Sequence, residues 1–244
     1  MKKLFTKTFL ALFAAGSTVL TFAQEAAPAA EQSIHQALKV KFIEGSADFM
    51  SLIAIALVFG LAFALERIIY LNLADTNPSK LLKGIEEALG RGDVEKAKEI
   101  ARNTRGPIAS IAYQGLLRID QGIDVVEKSV VSYGGVQGGL LEKNLSWITL
   151  FIAMAPSLGF LGTVIGMIMA FDKIEQLGDI SPTVVAGGMK VALITTVGGL
   201  IVALLLQVFY NYLLSKLEAI LNKMEDASIT LLDIVIKYNV KYNK

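Results

Sequence analysis

Two apolar stretches seeded with glycine, alanine and threonine constrain this chain more than anything else in it. The first, 145–171, carries Ala155, Pro156, Gly159, Gly162, Thr163 and Gly166; the second, 184–214, carries Gly188, Ala192, Thr195, Thr196, Gly199 and Ala203. Each is longer than the roughly 20 apolar residues a helix needs to cross a bilayer. Within hydrocarbon, helices gain nothing from apolar attraction, so close backbone approach and interhelical hydrogen bonds must hold them together. Gly159, Gly162 and Gly166 recur at three- and four-residue spacing on one face of the first helix. Gly188, Ala192, Thr195, Gly199 and Ala203 do the same on the second. Both helices are therefore expected to pack against other helices.

Placed antiparallel and joined outside the membrane, the two helices bring Thr163 and Thr196 near mid-depth, within about a turn of each other. With Thr195 they are candidate channel-lining or coupling hydroxyls on a smooth face that lines a narrow wet lumen or cradles a central helix. The same pattern also suits residues that only knit helices together, each hydroxyl bonded to a carbonyl of the previous turn. Pro156 lacks a backbone N–H and is expected to kink its helix. Lys190, about one turn inside the outer end of its span, either snorkels to the surface or pairs with an acidic group on a partner. Trp147 reads as an interfacial anchor.

Composition narrows the class. Hydrophobic residues make up 54% and charged ones 18%, too apolar a balance for an ordinary soluble domain. The net charge of +1 gives no basic excess for nucleic acid, and with no cysteine there are no disulfides, thiolate metal sites or cysteine nucleophiles. A single histidine, His35, rules out paired-histidine metal motifs and reads as a solvated surface residue. No catalytic residue, cofactor or metal is expected.

The N-terminus reads as a processing signal. Lys2, Lys3 and Lys7 precede a short apolar core, and Thr21-Phe22-Ala23 offers a cut after Ala23; a retained anchor helix is the alternative. Segment 24–47 is then a short exported stretch, amphipathic toward Glu44. A first mature span covers 48–73, closed by Glu66, Arg67 and Tyr70, with the charged side chains snorkelling to the headgroups. Residues 74–144 are polar, with helices expected over 78–90, 93–103 and 106–117 and Asp93 as an N-cap. The cluster Gly134, Gly135, Gly138 and Gly139 should break or loosen a helix before the second span, as a hinge or a loop.

Lysine and arginine set the orientation. Ten of them lie in 75–144, against Lys173 alone in the 172–183 link, and the 215–244 tail carries five lysines. By the positive-inside rule the two larger segments face the cytoplasm and the link faces outside. Three spans follow, N-terminus out and C-terminus in. The tail carries a heptad-like stripe of Leu217, Ile220, Leu221, Met224, Ser228, Leu231, Leu232 and Val235, as a cytoplasmic helix continuing the third span and packing on a partner helix would. The fold expected is an all-α integral membrane protein: three transmembrane helices with long cytoplasmic helical extensions.

At this point the residues resemble a known family. Ala155-Pro156, Gly159, Leu161-Gly162-Thr163-Val164 and Gly166-Met167-Ile168 are similar to the second-span signature of the MotA/TolQ/ExbB proton-channel family. Gly188, Ala192-Leu193, Thr195-Thr196, Gly199-Leu200 and Val202-Ala203 resemble its third-span signature. Glu66-Arg67 with Tyr70-Leu71, and Gly92-Asp93, Ala97, Ala101 and Gly106-Pro107-Ile108-Ala109, look like its first span end and cytoplasmic domain. The three-span layout is closer to the ExbB branch than to MotA, whose members have four spans. The resemblance implies a ring-forming subunit of the bacterial inner membrane, a homo-oligomer that is commonly a pentamer, around single helices of an ExbD-like partner. Proton flow there drives motion that reaches a TonB-like protein and outer-membrane transporters. Many members carry a glutamate where this sequence has Val191, with a small residue in place of Lys190.

No Asp, Glu or His lies in 146–171 or 184–214, although proton relays through hydrocarbon ordinarily use such groups. A titrating carboxylate would have to come from another subunit, in the resemblance the aspartate of the ExbD-like helix. Alternatives using the same physics are a TolQ-like subunit for envelope maintenance and a motor for surface movement. A passive membrane scaffold is the alternative of a different class. A stand-alone transporter would need broken paired helices or an internal repeat, and none is evident.

Overall fold

The computed structural model describes residues 34–178 and 182–242. The expected signal peptide, the first part of the exported segment and part of the 172–183 link lie outside the described residues. Helix α1 spans Ile34–Glu44. From Glu44 onward the chain forms one unit, built on helices α2 (Ala47–Ala74), α3 (Pro78–Gly90), α4 (Val94–Asn103), α5 (Pro107–Leu116), α6 (Ile123–Glu142), α7 (Leu145–Leu177) and α8 (Pro182–Tyr242), with a 3-10 turn at Ile119–Gln121. Every described element is helical, and three helices are long and apolar enough to cross a membrane.

The small helices begin where local chemistry starts them. Asn77 accepts from the Ser79 N–H at 3.0 Å with Pro78 in the first turn, and Asp93 accepts from the Lys96 N–H at 2.9 Å. Gly106 precedes Pro107 at φ 114°, a conformation that side chains resist. The apolar faces of α3 to α6 then close over the distal half of α8. Leu81, Ile85, Leu116, Val130, Leu217, Ile220, Leu231 and Val235 share one buried cluster. The stripe expected along the tail is thus the face that packs, and α8 runs unbroken for 61 residues from the third span through the tail.

A smaller cluster holds the three long helices together: Ile53 and Ala56 of α2, Phe151 and Ala155 of α7, and Val202 and Leu206 of α8. Gly60 lets α2 approach, since a Cβ there would sit 2.5 Å from Leu206. Rings extend the α2–α7 contact, with Phe63 stacked on Trp147 at 5.8 Å between centroids. Large apolar side chains such as Val58, Phe160, Leu193 and Leu204 remain exposed on the long helices. Lipid can cover these, while the backbone polar groups are satisfied within each helix.

Two expectations are corrected here. The glycine cluster does not break its helix: α6 continues through Gly134 to Gly139 and ends at Glu142. A helical glycine costs only about 1 kcal/mol relative to alanine, and Gly138 lies buried where Leu221 of α8 packs beside it. The break falls instead at Lys143 and Asn144, where Asn144 takes a left-handed φ of 67°. Arg67, in turn, does not snorkel. It is 3% exposed, donating from Nε to Glu66 Oε2 at 2.6 Å, with its guanidinium 4.4 Å from the Tyr70 ring centre. Helix α2 runs on to Ala74, so Arg67 faces the junction of α6 and α7, where the Leu140 carbonyl also accepts from it.

Candidate functional site

Helices α7 and α8 meet along a seam with almost no side chain between their backbones. Ala155, Gly159, Gly162, Gly166 and Ala170 of α7 are buried against Ala192, Thr195, Gly199 and Ala203 of α8. A Cβ on Gly159 would lie 2.8 Å from the Thr195 carbonyl oxygen, and one on Gly162 would lie 2.7 Å from Thr195 Oγ1. A Cβ on Gly199 would collide with the Ala155 carbonyl, and one on Gly188 with Ala170. The small-residue face expected from the sequence is therefore consumed by contact between two helices of the same chain. It does not form the wall of a lumen within one copy, because the backbones themselves fill the space.

The three threonines divide by exposure. Thr195 is fully buried, with Oγ1 donating within its own helix, 2.8 Å from the Ala192 carbonyl and 3.2 Å from that of Val191. The expectation that Thr195 lines a channel is corrected: its methyl and hydroxyl fill the notch at Gly162, in the knitting arrangement. Thr163 and Thr196 are half-buried and meet across the seam, Oγ1 to Oγ1, at 3.2 Å. Around them stand the carbonyls of Phe160 (2.6 Å from Thr163 Oγ1), Gly159 (3.4 Å from Thr196 Oγ1) and Ala192 (3.3 Å from Thr196 Oγ1). Each hydroxyl has one proton and several acceptors, so the pair can reverse its donor and acceptor roles without moving either helix. It can hand a hydrogen bond onward to water, but neither hydroxyl stores a proton near neutral pH.

On the Lys173 side of the pair, a cavity of about 440 Å³ opens between the last turns of α7 and the first turns of α8. Gly166, Ala170 and Gly188 form its smooth side, and Ser46, Lys173 and Thr183 supply polar groups. Pro156 sits inside α7 on the other side of the pair. Lys190 has a partner that neither of its sequence readings contained: its Nζ donates to Glu44 Oε1 at 2.7 Å. Glu44 is 146 residues away in the chain, and no local pattern marks it.

A second missed cluster lies at the end of α2. Asp75 accepts from Lys216 and Lys223, both at 2.5 Å, tying the first span's end to the tail of α8. Hydrogen bonds from Lys216 and then Lys223 hold the Asp75 carboxyl below its usual range, and the Lys216 ammonium is raised in return. Among the described residues no group of His, Cys, Asp or Glu is arranged to hold a metal ion, and no buried side-chain polar atom lacks a hydrogen bond.

Comparison with known proteins covers the stretch of chain that holds both helices of this seam. The model of the MotA/TolQ/ExbB proton channel family matches residues 103–226, which takes in α5, α6, α7 and most of α8. An ExbB homolog of biopolymer transport from Methanothermobacter thermautotrophicus is 29% identical over 71% of this chain and 62% of its own length. The biopolymer transport protein exbB1 of Vibrio cholerae is 37% identical over 33% of this chain and 39% of its own. The biopolymer transport protein ExbB of Aquifex aeolicus is 36% identical over 32% and 53%. In each case the match spans less than two thirds of the relative.

Proposed function

Because this chain belongs to the MotA/TolQ/ExbB proton channel family, we propose that it is an ion-channel and motor subunit of a bacterial inner membrane. In this reading it spans the membrane three times, N-terminus periplasmic and C-terminus cytoplasmic. Copies form a ring, with five the expected number, around single helices of an ExbD-like partner. Proton flow through the assembly is converted to movement that a TonB-like protein carries to outer-membrane transporters. The names of the ExbB relatives support the transport role.

The observation that carries the proposal is the hydroxyl pair at 3.2 Å in a seam whose two helices hold no acidic group or histidine through 146–171 and 184–214. Such a seam offers hydrogen bonds at its edge, beside the cavity at Gly166 and Gly188, but no proton store, so the titrating carboxylate comes from the partner. Thr163 and Thr196 then stand beside the path, Gly159, Gly162, Gly166, Gly188, Gly199, Ala192 and Ala203 hold its wall rigid, and Pro156 shapes the helix. Lys190, neutralised by Glu44, stays off the path.

The test is purification in mild detergent, native mass spectrometry, and proton flux in liposomes with and without the co-purifying chain. The expected result is a ring that carries a small single-span protein with a membrane aspartate and conducts only when that protein is present. Robust flux from this chain alone, equal to that of the complex, overturns the division of labour. A monomer without a partner overturns the ring and favours a scaffold.

A further inference from the structure

Beyond the long spans, the chain carries two unlike exposed faces. One is a groove of about 390 Å³ between the end of α5 and α6, with Gln114, Arg118, Lys128, Ser129, Ser132 and Val136 among its lining residues and no carboxylate. Arg118 is fixed there, donating to the Gln114 carbonyl at 2.9 Å and to its amide oxygen at 3.0 Å. Among the described residues Lys128 takes part in no ion pair. Val136 is 56% exposed, and Leu140, also exposed, continues the face toward the span.

The other face lies along α8, opposite its buried stripe. Glu218, Asn222, Glu225, Asp226, Ile229 and Asp233 recur there at helical spacing, all exposed, with no lysine or arginine between them on that side. None of the four carboxylates enters an ion pair among the described residues. The isoleucine and Ile236 give this acidic face an exposed apolar component, as Val136 and Leu140 do for the basic one.

The two faces also agree in register. Within one copy α6 and α8 run antiparallel, with Leu221 packed at Gly138, while Leu231 and Val130 both pack at Gly115. Ten residues along each helix from the Gly138 contact, about 15 Å, bring Lys128 level with Leu231, within a turn of Ile229 and Asp233. Val136 is level with Asn222 and Lys223. Ser129, Ser132 and Val136 lie round α6 from Gly138, so the groove faces away from the chain's own α8.

We propose that the α5–α6 groove receives the acidic face of α8 from a second copy of this chain, Lys128 and Arg118 meeting Asp226 and Asp233. The inference rests on the ring reading above and supplies its contact outside the membrane. Opposite charges steer unlike faces together and repel like ones. A contact between two different faces of one chain is heterologous, and it closes into a ring when its rotation permits; a two-fold dimer would leave it unused.

The absence of cysteine makes a clean test. Copies carrying Val136→Cys are co-expressed with copies carrying Asn222→Cys, and native membranes are treated with a short bismaleimide. A cross-linked dimer is expected, in about tenfold excess over the pairing of Glu127→Cys with Asn222→Cys. Lys128→Glu should weaken that cross-link about tenfold, and Lys128→Glu combined with Asp233→Lys should restore it. An oligomer of unchanged size by native mass spectrometry without the cross-link overturns this contact and leaves the ring standing. A chain that stays monomeric overturns both.

Discussion

Thr163, Thr195 and Thr196 share a chemistry but not a situation, and substitution should separate them. Thr196→Val removes the cross-seam hydrogen bond at 3.2 Å while keeping the shape. Assembly should survive, and partner-dependent proton flux should fall about five- to tenfold, the worth of one hydrogen bond in the path. Thr195→Val removes only bonds to carbonyls of its own helix, which already accept the helical backbone bonds, and should leave flux within about twofold of the wild type. Flux assays on the reconstituted complex check both. The glycines divide in the same way. Gly199→Ala drives a methyl into the Ala155 carbonyl, a backbone group that cannot turn aside, and should cost about 1–3 kcal/mol of overpacking, seen as a lower unfolding temperature in detergent or loss of assembly.

At the scale of elements, the seam and the α6 helix show how one residue type serves opposite ends. In the seam, glycine is required by close approach. In α6, Gly135 and Gly139 have nothing within 4 Å of where a Cβ would stand, so their presence is not explained by packing within one copy. Gly135→Ala should raise thermal stability by about 1 kcal/mol, the helix propensity difference; a loss of stability would mean that the helix loosens there after all. The sequence suggests a break at this cluster because glycine density looks the same whether the helix is supported or not. What supports it is the packing of α6 on α5 and α8, supplied by residues far away in the chain. The actual break falls at Asn144, where the polar segment gives way to the second span and where asparagine takes the left-handed conformation more readily than most residues.

Across the whole molecule, the Asp75 clamp joins the end of the first span to the tail of the third, 141 and 148 residues apart. Its carboxyl is held below its usual range by the two ammonium groups, so the folded state favours the ionised form. That stabilisation is present above the unfolded aspartate pKa and is lost as pH falls through the lower folded value. Asp75→Asn should therefore lower stability by about 0.5–1 kcal/mol at neutral pH, and its difference from the wild type should vanish in acid; unfolding temperatures across a pH series measure this. The class of the molecule, its three long apolar helices, the helix starts at Pro78 and Asp93, the packing stripe of the tail and the proximity of Thr163 to Thr196 were all legible in the sequence. They follow from periodicity, capping chemistry and rise per residue, which act over a few turns. Only the tertiary structure decided that Thr195 is buried while Thr196 stays accessible, that Lys190 belongs to Glu44, that Arg67 turns inward, and that the glycine cluster remains helical. Each of these depends on which distant side chain fills a particular space, and a contact spanning a hundred residues leaves no trace in local spacing.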